Sequence, residues 1–353
     1  MILMKRTALA GLLGASALVI SACSADTDTD SDALSIVTST YPLEYVAAEV
    51  GGDLVSVRSL TPPGSDDHSL ELSPRQVTDL ERVDLVVTLS GYQNAMDDAL
   101  AATSPTHVVD AADHVDLREP QELTGAPAAD ANVEDDHAHE DETHVEDDHA
   151  HEDETHVDDD HAHEDETHVE DDHADDHGHS HDGPDPHFWL DPARMALLAH
   201  PIADELASID PEHADVFRAN ADDLVGRMEQ LDTDFSDGLA QCESSTFVVS
   251  HSAFTYLAGA YDLDQQAIAG TEIDTEPSPK RVAEVTALVE DAGVDVIFTT
   301  SQAERSLVQA LADEAGVRVD VLDAVATQVD DDVDYDGVMR TNLAKLRDAL
   351  GCR

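Results

Sequence analysis

Basic side chains are the scarcest charged class in this chain of 353 residues. Seventeen Lys plus Arg stand against 79 Asp plus Glu, leaving a formal net charge of −62 at pH 7. Repulsion excludes nucleic acid as a partner and makes cations the natural counterpart. The acidity is general, because the most acidic segment, Val133 to His181, carries only 23 of those carboxylates and no Lys or Arg. Adaptation of the surface to a salty medium explains this balance as readily as electrostatic capture of a ligand does. No G-x-x-x-x-G-K-[ST] phosphate loop is present, so the chain carries no nucleotide-binding motif of that kind.

Long apolar runs are lacking too. The only one, Ala8 to Ile20, follows Lys5 and Arg6 and falls short of the roughly 20 residues a bilayer span needs. Its charged start, apolar middle and small-residue end read as a signal peptide over residues 1–22. The tetrapeptide Ile20-Ser21-Ala22-Cys23 resembles the lipobox of bacterial lipoproteins, which makes Cys23 the lipidated first residue of the mature protein. Cysteine is rare, with three in all; setting Cys23 aside leaves Cys242 and Cys352. In a compartment where disulfides persist, the expectation is that these two are bridged. Closing a loop of more than 100 residues would contribute about 4–5 kcal/mol in the chain-entropy model.

Residues 23–33 form a polar tether rich in Asp, Thr and Ser, with nothing to bury. Strand-like and helix-like runs then alternate. LSIVTS (34–39) and VSVRSL (55–60) are rich in β-branched residues, and YPLEYVAAEVG (41–51) between them has helical spacing with a terminal Gly. Ser73-Pro74 supplies an N-cap and first helical residue for a helix to about Arg82; VDLVVTLS (83–90) reads as a buried strand and HVVDAA (107–112) as a weaker one. Asp191-Pro192 and Asp210-Pro211 open helical stretches interrupted at Pro201, which together suggest one long, kinked connecting helix over 191–240.

A second alternating unit fills 241–353. TFVVS (246–250) is a strand, AFTYLAGAYD (253–262) a helix and QQAIAG (265–270) a further extended run. Ser278-Pro279 caps the helix that begins at Lys280. VDVIFTT (294–300) is a buried strand, AERSLVQALADEAG (303–316) a helix, VRVDVLD (317–323) a strand, and the last helix lies near Tyr335 to Leu350. The fold class is therefore α/β: two lobes, 34–190 and 241–353, joined by helix.

Large apolar residues nearly vanish between 125 and 184. This segment cannot build a core and is expected to be disordered. It contains the repeat VEDDHAHEDETH at 133–144 and 145–156, a copy at 157–168 with Asp158 in place of Glu, and a partial copy at 169–181. The period of 12 matches no stacked repeat architecture. In HEDETH the two histidines are five apart, so the helical face of an H-E-x-x-H zinc site is absent. The thirteen histidines (His137, His139, His144, His149, His151, His156, His161, His163, His168, His173, His177, His179 and His181) set among carboxylates nonetheless make weak, auxiliary zinc ligands. The bland alternative is a solvated acidic spacer.

Ligands of α/β lobes sit beyond the carboxyl ends of strands. Four metal-ligating side chains stand out: His68 in the loop after the strand at 55–60, His187 in DPHFWLDP between the acidic segment and the joining helix, His251 directly after TFVVS, and Asp323 at the end of VRVDVLD. Each alone has a duller explanation, since a lone loop histidine is more often solvated and Asp323 could cap the next turn. Spacing does not show that the four meet.

Resemblance supplies that step. TPPGSDDHSLELSPRQVTDLERVDLVVTLSG, DPHFWLDPARM, FVVSHSAFTYLAGAYDL, EPSPKRVAEVTALVEDAGVDVIFTT and VLDAVATQVDDDVDYDGVMRTNLAKL resemble, in the same order, the metal-binding lipoproteins of zinc and manganese ABC importers. The resemblance implies two lobes with a metal site in the cleft between them, formed by His68, His187, His251 and Asp323, and a His-rich acidic loop in the first lobe. A histidine at the third position implies Zn2+ over Mn2+, since imidazole suits the softer ion and a second carboxylate would suit the harder one. In zinc members, water can take the carboxylate's place. The chain departs from the pattern at Ser301-Gln302, where many relatives have an acidic residue after the strand, and at His200-Pro201, which interrupts a helix usually continuous.

The implied function is capture of zinc outside the cytoplasm by a lipid-anchored monomer and delivery to a membrane permease driven by a separate ATPase. The chain is not expected to be an enzyme. Two readings of other kinds stay open: a zinc hydrolase using Glu71 or Asp67 as base, and an extracellular metal-buffering or adhesion protein dominated by its repeats.

Overall fold

The computed structural model describes residues 33–118, 184–269, 279–302, 304–330 and 332–353. The signal peptide, Cys23 and the tether up to Asp32, the thirteen repeat histidines and the Ser278 cap lie outside the described residues.

The first lobe is a four-stranded sheet in the order β2-β1-β3-β4, with every pairing parallel. Its strands are β1 (Leu34–Thr38), β2 (Val55–Ser59), β3 (Leu85–Thr88) and β4 (Val108–Asp110). β3 is buried at all four positions, as expected of an inner strand covered on both faces, whereas the edge strand β2 is only partly covered. The crossovers are α1 (Tyr41–Gly51), α2 (Pro74–Asp79) and α3 (Asn94–Thr103). Ser73 begins α2 with a full capping box: its hydroxyl accepts from Gln76 N, and the Gln76 side chain accepts from Ser73 N at 3.0 Å. α3 has no counterpart in the sequence expectations, yet a parallel β3-β4 pair requires a crossover of this kind.

The joint differs from a single kinked helix. It consists of α4 (Pro192–Ala196), α5 (Ala199–Ile209) and α6 (Ala214–Leu239), with α4 and α5 packed back against α6. Pro201 falls in the first turn of α5, where its missing N–H breaks no helical hydrogen bond, so the interruption comes before it, at Leu197-Leu198. The reversal is made at Asp210-Pro211, where Asp210 Oδ1 accepts from Glu212 N at 3.2 Å. The long helix is α6, whose 26 residues run for about 39 Å at 1.5 Å per residue.

The second lobe repeats the topology of the first. Its sheet order is β6-β5-β7-β8, all parallel, with β5 (Thr246–Val249), β6 (Asp264–Ala267), β7 (Val296–Thr299) and β8 (Arg318–Val321). The helices are α7 (Thr255–Ala260), α8 (Pro279–Ala292), α9 (Arg305–Ala315) and α10 (Tyr335–Leu350). Cys242, just beyond α6, and Cys352, just beyond α10, form a disulfide that fastens the end of the chain to the end of the long helix. One apolar core runs through the α1 side of the first lobe, Phe188 to Leu190, α4 to α6 and the inner face of α10. At the lobe junction Trp189 is fully buried, and its Nε1–H donates to Ala324 O at 2.8 Å. Among the described residues, no helix is long and apolar enough to cross a membrane.

Candidate metal centre

In each sheet the chain leaves the first strand to one side and returns on the other, so the crevice beyond the strand ends opens between β1 and β3 and between β5 and β7. His251 lies two residues past the end of β5 and Thr300 directly follows β7, placing both at that point of the second lobe. His68 comes from the loop after β2. Tyr92 and Gln93, after β3, hold this loop: the Tyr92 hydroxyl donates to Asp67 Oδ2, and Gln93 Nε2 donates to Asp67 O at 2.6 Å. His187 lies in the turn that precedes α4.

These three histidines converge. Each offers one ring nitrogen to a group whose atoms all lie within 4.8 Å of one another. Ring centroids are 5.4 Å apart for His68 and His187, 5.9 Å for His187 and His251, and 6.4 Å for His68 and His251. His187 and His251 are only 1% and 2% exposed. Burial pushes the His68 imidazole down to about 4; the Asp67 charge opposes this and the other two rings add to it. It is therefore a neutral nitrogen donor at neutral pH.

The outer nitrogens explain which atoms face the centre. His187 Nδ1 is 2.8 Å from Asp185 Oδ1, so it carries the proton and leaves Nε2 as the free donor. Asp185 is itself fixed by the Thr255 hydroxyl on its other oxygen and accepts from His187 N at 2.9 Å. His251 Nδ1 is 3.1 Å from Thr300 Oγ1. His68 Nε2 is buried with no hydrogen-bond partner among the described residues. Burying such an atom unpaired costs about 1–3 kcal/mol, which a bound cation would offset. Three imidazole nitrogens fit a borderline ion such as zinc, which takes four ligands in a tetrahedral shell.

Asp323 stands elsewhere on the wall of the same cleft, outside the group of three. Its Oδ1 accepts from Val325 N at 2.7 Å, the local capping role weighed from the sequence, and burial raises its carboxyl above the usual value. Four residues of the centre are not among the ligand candidates: Asp185, Tyr92, Thr300 and Glu304. Asp185 was detectable, since an Asp two residues before a candidate ligand can bond both its backbone and its ring. Glu304 lies two residues beyond Ser301-Gln302 and turns its carboxylate back toward the end of β5. Its Oε2 is 3.8 Å from His251 Nδ1.

The neck of the 119–183 segment sits beside this centre. Asp185 N donates to Arg118 O at 3.0 Å, so the chain leaves and returns two residues from His187. The Tyr256 hydroxyl joins both sides, accepting from Arg118 N at 2.8 Å and donating to Asp185 O at 2.9 Å.

Comparison with known proteins places these features. The zinc-binding lipoprotein AdcA of Streptococcus pneumoniae strain R6 is 30% identical over 341 residues, covering 94% of this chain and 58% of AdcA, so the chain spans little more than half of that relative. The high-affinity zinc uptake system protein ZnuA of Bacillus subtilis is 25% identical over 351 residues, 96% of each chain. The crystal structure of the Zn(II)-bound ZnuA-like domain of S. pneumoniae AdcA matches with a TM-score of 0.65 and 26% identity, over 90% of this chain and 99% of that domain. The family described as zinc-uptake complex component A, periplasmic, matches residues 36–349, and the chain belongs to it.

Proposed function

We propose that this protein captures Zn2+ outside the cytoplasm and hands it to a membrane permease driven by a separate ATPase. The observation that carries this reading is the convergence, in a member of the zinc-uptake family, of three imidazole nitrogens within 4.8 Å at the interlobe cleft. His68, His187 and His251 hold the ion through nitrogen. Asp323 or a water completes the shell, since tetrahedral zinc takes four ligands. Three nitrogen donors favour zinc over manganese, which prefers oxygen. Binding, not hydrolysis, is the role: Asp67, one of two candidate bases, is committed to the Tyr92 hydroxyl, and Glu71 is exposed on the loop.

The mature protein is a monomer tethered through lipidated Cys23, and His137 to His181 collect or buffer zinc weakly. The neck at Arg118 and Asp185 supports that second role, because it roots the repeats next to His187.

Metal analysis of the purified mature protein and of His68→Ala and His251→Ala tests the site. The wild type retains one tight zinc after dialysis and both variants lose it. Retention by both variants would defeat the assignment.

A further inference from the structure

Glu304 is a buried carboxylate, 6% exposed, that the binding reading leaves without a task. It precedes α9 and points back at the end of β5. Ser250, adjacent to His251, donates its hydroxyl to Oε2 at 2.6 Å. Ser301 donates to Oε1 at 3.0 Å, and the Thr300 hydroxyl donates to the same oxygen. Oε2 also accepts from Thr300 N at 3.4 Å, so donors meet both carboxylate oxygens and Glu304 acts as the acceptor of this cluster.

That fixes the direction of one proton. A threonine hydroxyl has a single hydrogen. Thr300 gives it to Glu304, so toward His251 Nδ1, 3.1 Å away, Thr300 Oγ1 can act only as acceptor. His251 Nδ1 must then carry hydrogen, which makes Nε2 the nitrogen that can offer a lone pair to a metal.

We propose that Glu304 is a positioning residue that acts through Thr300 to hold His251 in the Nδ1–H tautomer, presenting Nε2 to the metal. The inference rests on His251 being a ligand. Without an acceptor at 304, the Thr300 hydrogen is released to turn toward Nδ1, and the ring is drawn to the tautomer whose Nε2 is blocked by its own proton. His187 reaches the same state by a direct contact with Asp185, so the two buried histidines have their donor atoms set by two separate carboxylates.

The test compares Glu304→Met, Thr300→Val and Glu304→Gln in the full mature protein, with zinc affinity measured by competition against a chromophoric chelator. Long-range nitrogen-proton NMR of the apo protein reads the His251 tautomer. Met at 304 and Val at 300 are expected to weaken zinc about 10–100-fold, the usual effect of losing an outer partner, and to raise the Nε2–H population. Gln keeps an oxygen acceptor for Thr300 and should stay within about threefold of wild type with the Nδ1–H form retained. If Glu304→Met does not fold, Thr300→Val carries the same prediction. Wild-type affinity in Thr300→Val would overturn the proposal, as would an unchanged tautomer in the weakened variants. A His251→Ala control separates the two layers: if it keeps tight zinc, the ligand reading itself is wrong, whereas its loss beside an unaffected Thr300→Val sinks only the role of Glu304.

Discussion

Asp185 Oδ1 lies 2.8 Å from the Nδ1 of His187 and 2.9 Å from its backbone nitrogen, so one carboxylate oxygen fixes both the ring and the turn that carries it. The ring cannot swing away without breaking the turn that leads into the buried Trp189.

Removing that oxygen should therefore affect binding before folding. Asp185→Ala is expected to weaken zinc about 10–100-fold and to lower stability by about 1–3 kcal/mol, as buried donors lose their acceptor. Asp185→Asn, which keeps an acceptor, should fall between. Chelator competition and thermal unfolding of the same samples check both; equal affinity in all three proteins would refute the role given to Asp185.

The apo protein should lose stability as pH falls from about 6.5 to about 4. His68 sits at about 4 in the folded chain against an ordinary 6.5. Between those values the unfolded chain holds more protons, so this contribution is complete above 6.5 and disappears as pH falls through 4. His68→Phe should flatten the slope of unfolding free energy against pH in that window, by at most about 1.4 kcal/mol per pH unit for one proton. Denaturant titrations of metal-free protein at several pH values measure it; parallel slopes would count against the burial effect.

Deleting 133–181 should leave one tight zinc and remove the weak equivalents. The three converging histidines lie outside that segment, and Arg118 and Asp185, the hydrogen-bonded neck, are retained. Metal titration before and after deletion decides the matter, and loss of the tight equivalent would show that the cleft histidines are not the site.

Reduction of Cys242–Cys352, or Cys352→Ser, should destabilise the protein by about 4–5 kcal/mol in the chain-entropy model without changing zinc affinity. The bridge joins residues 110 apart in sequence, at the ends of α6 and α10. A fall in affinity with stability unchanged would reverse this expectation.

Much of the fold could be read from local pattern. β3 and β7 are apolar at nearly every position because both faces of a parallel sheet are covered, and Ser73-Pro74 announces a capped helix. α3 went unnoticed because NAMDDALAAT has little apolar periodicity, burying only Met96 and Ala99. Residues 191–209 read as the start of the long helix because Pro201 suits a first turn as well as a kink, and only packing against α6 separates the two. At the centre, His251 could be singled out because it falls just past a strand, whereas grouping it with His68 and His187 took the resemblance of the segments that carry them. Of their partners, only Asp185 lies close enough in sequence to be read there. Glu304 reaches His251 across 53 residues of sequence, through a hydroxyl whose hydrogen bond is decided by neighbours in space.

The paired neck at Arg118 and Asp185 bears on inheritance. Because the two ends are already held together, whole 12-residue units between them can be duplicated or dropped by replication slippage while the lobe that carries them keeps its register. The number of repeats can therefore change without touching His68, His187 or His251, all of which lie outside them.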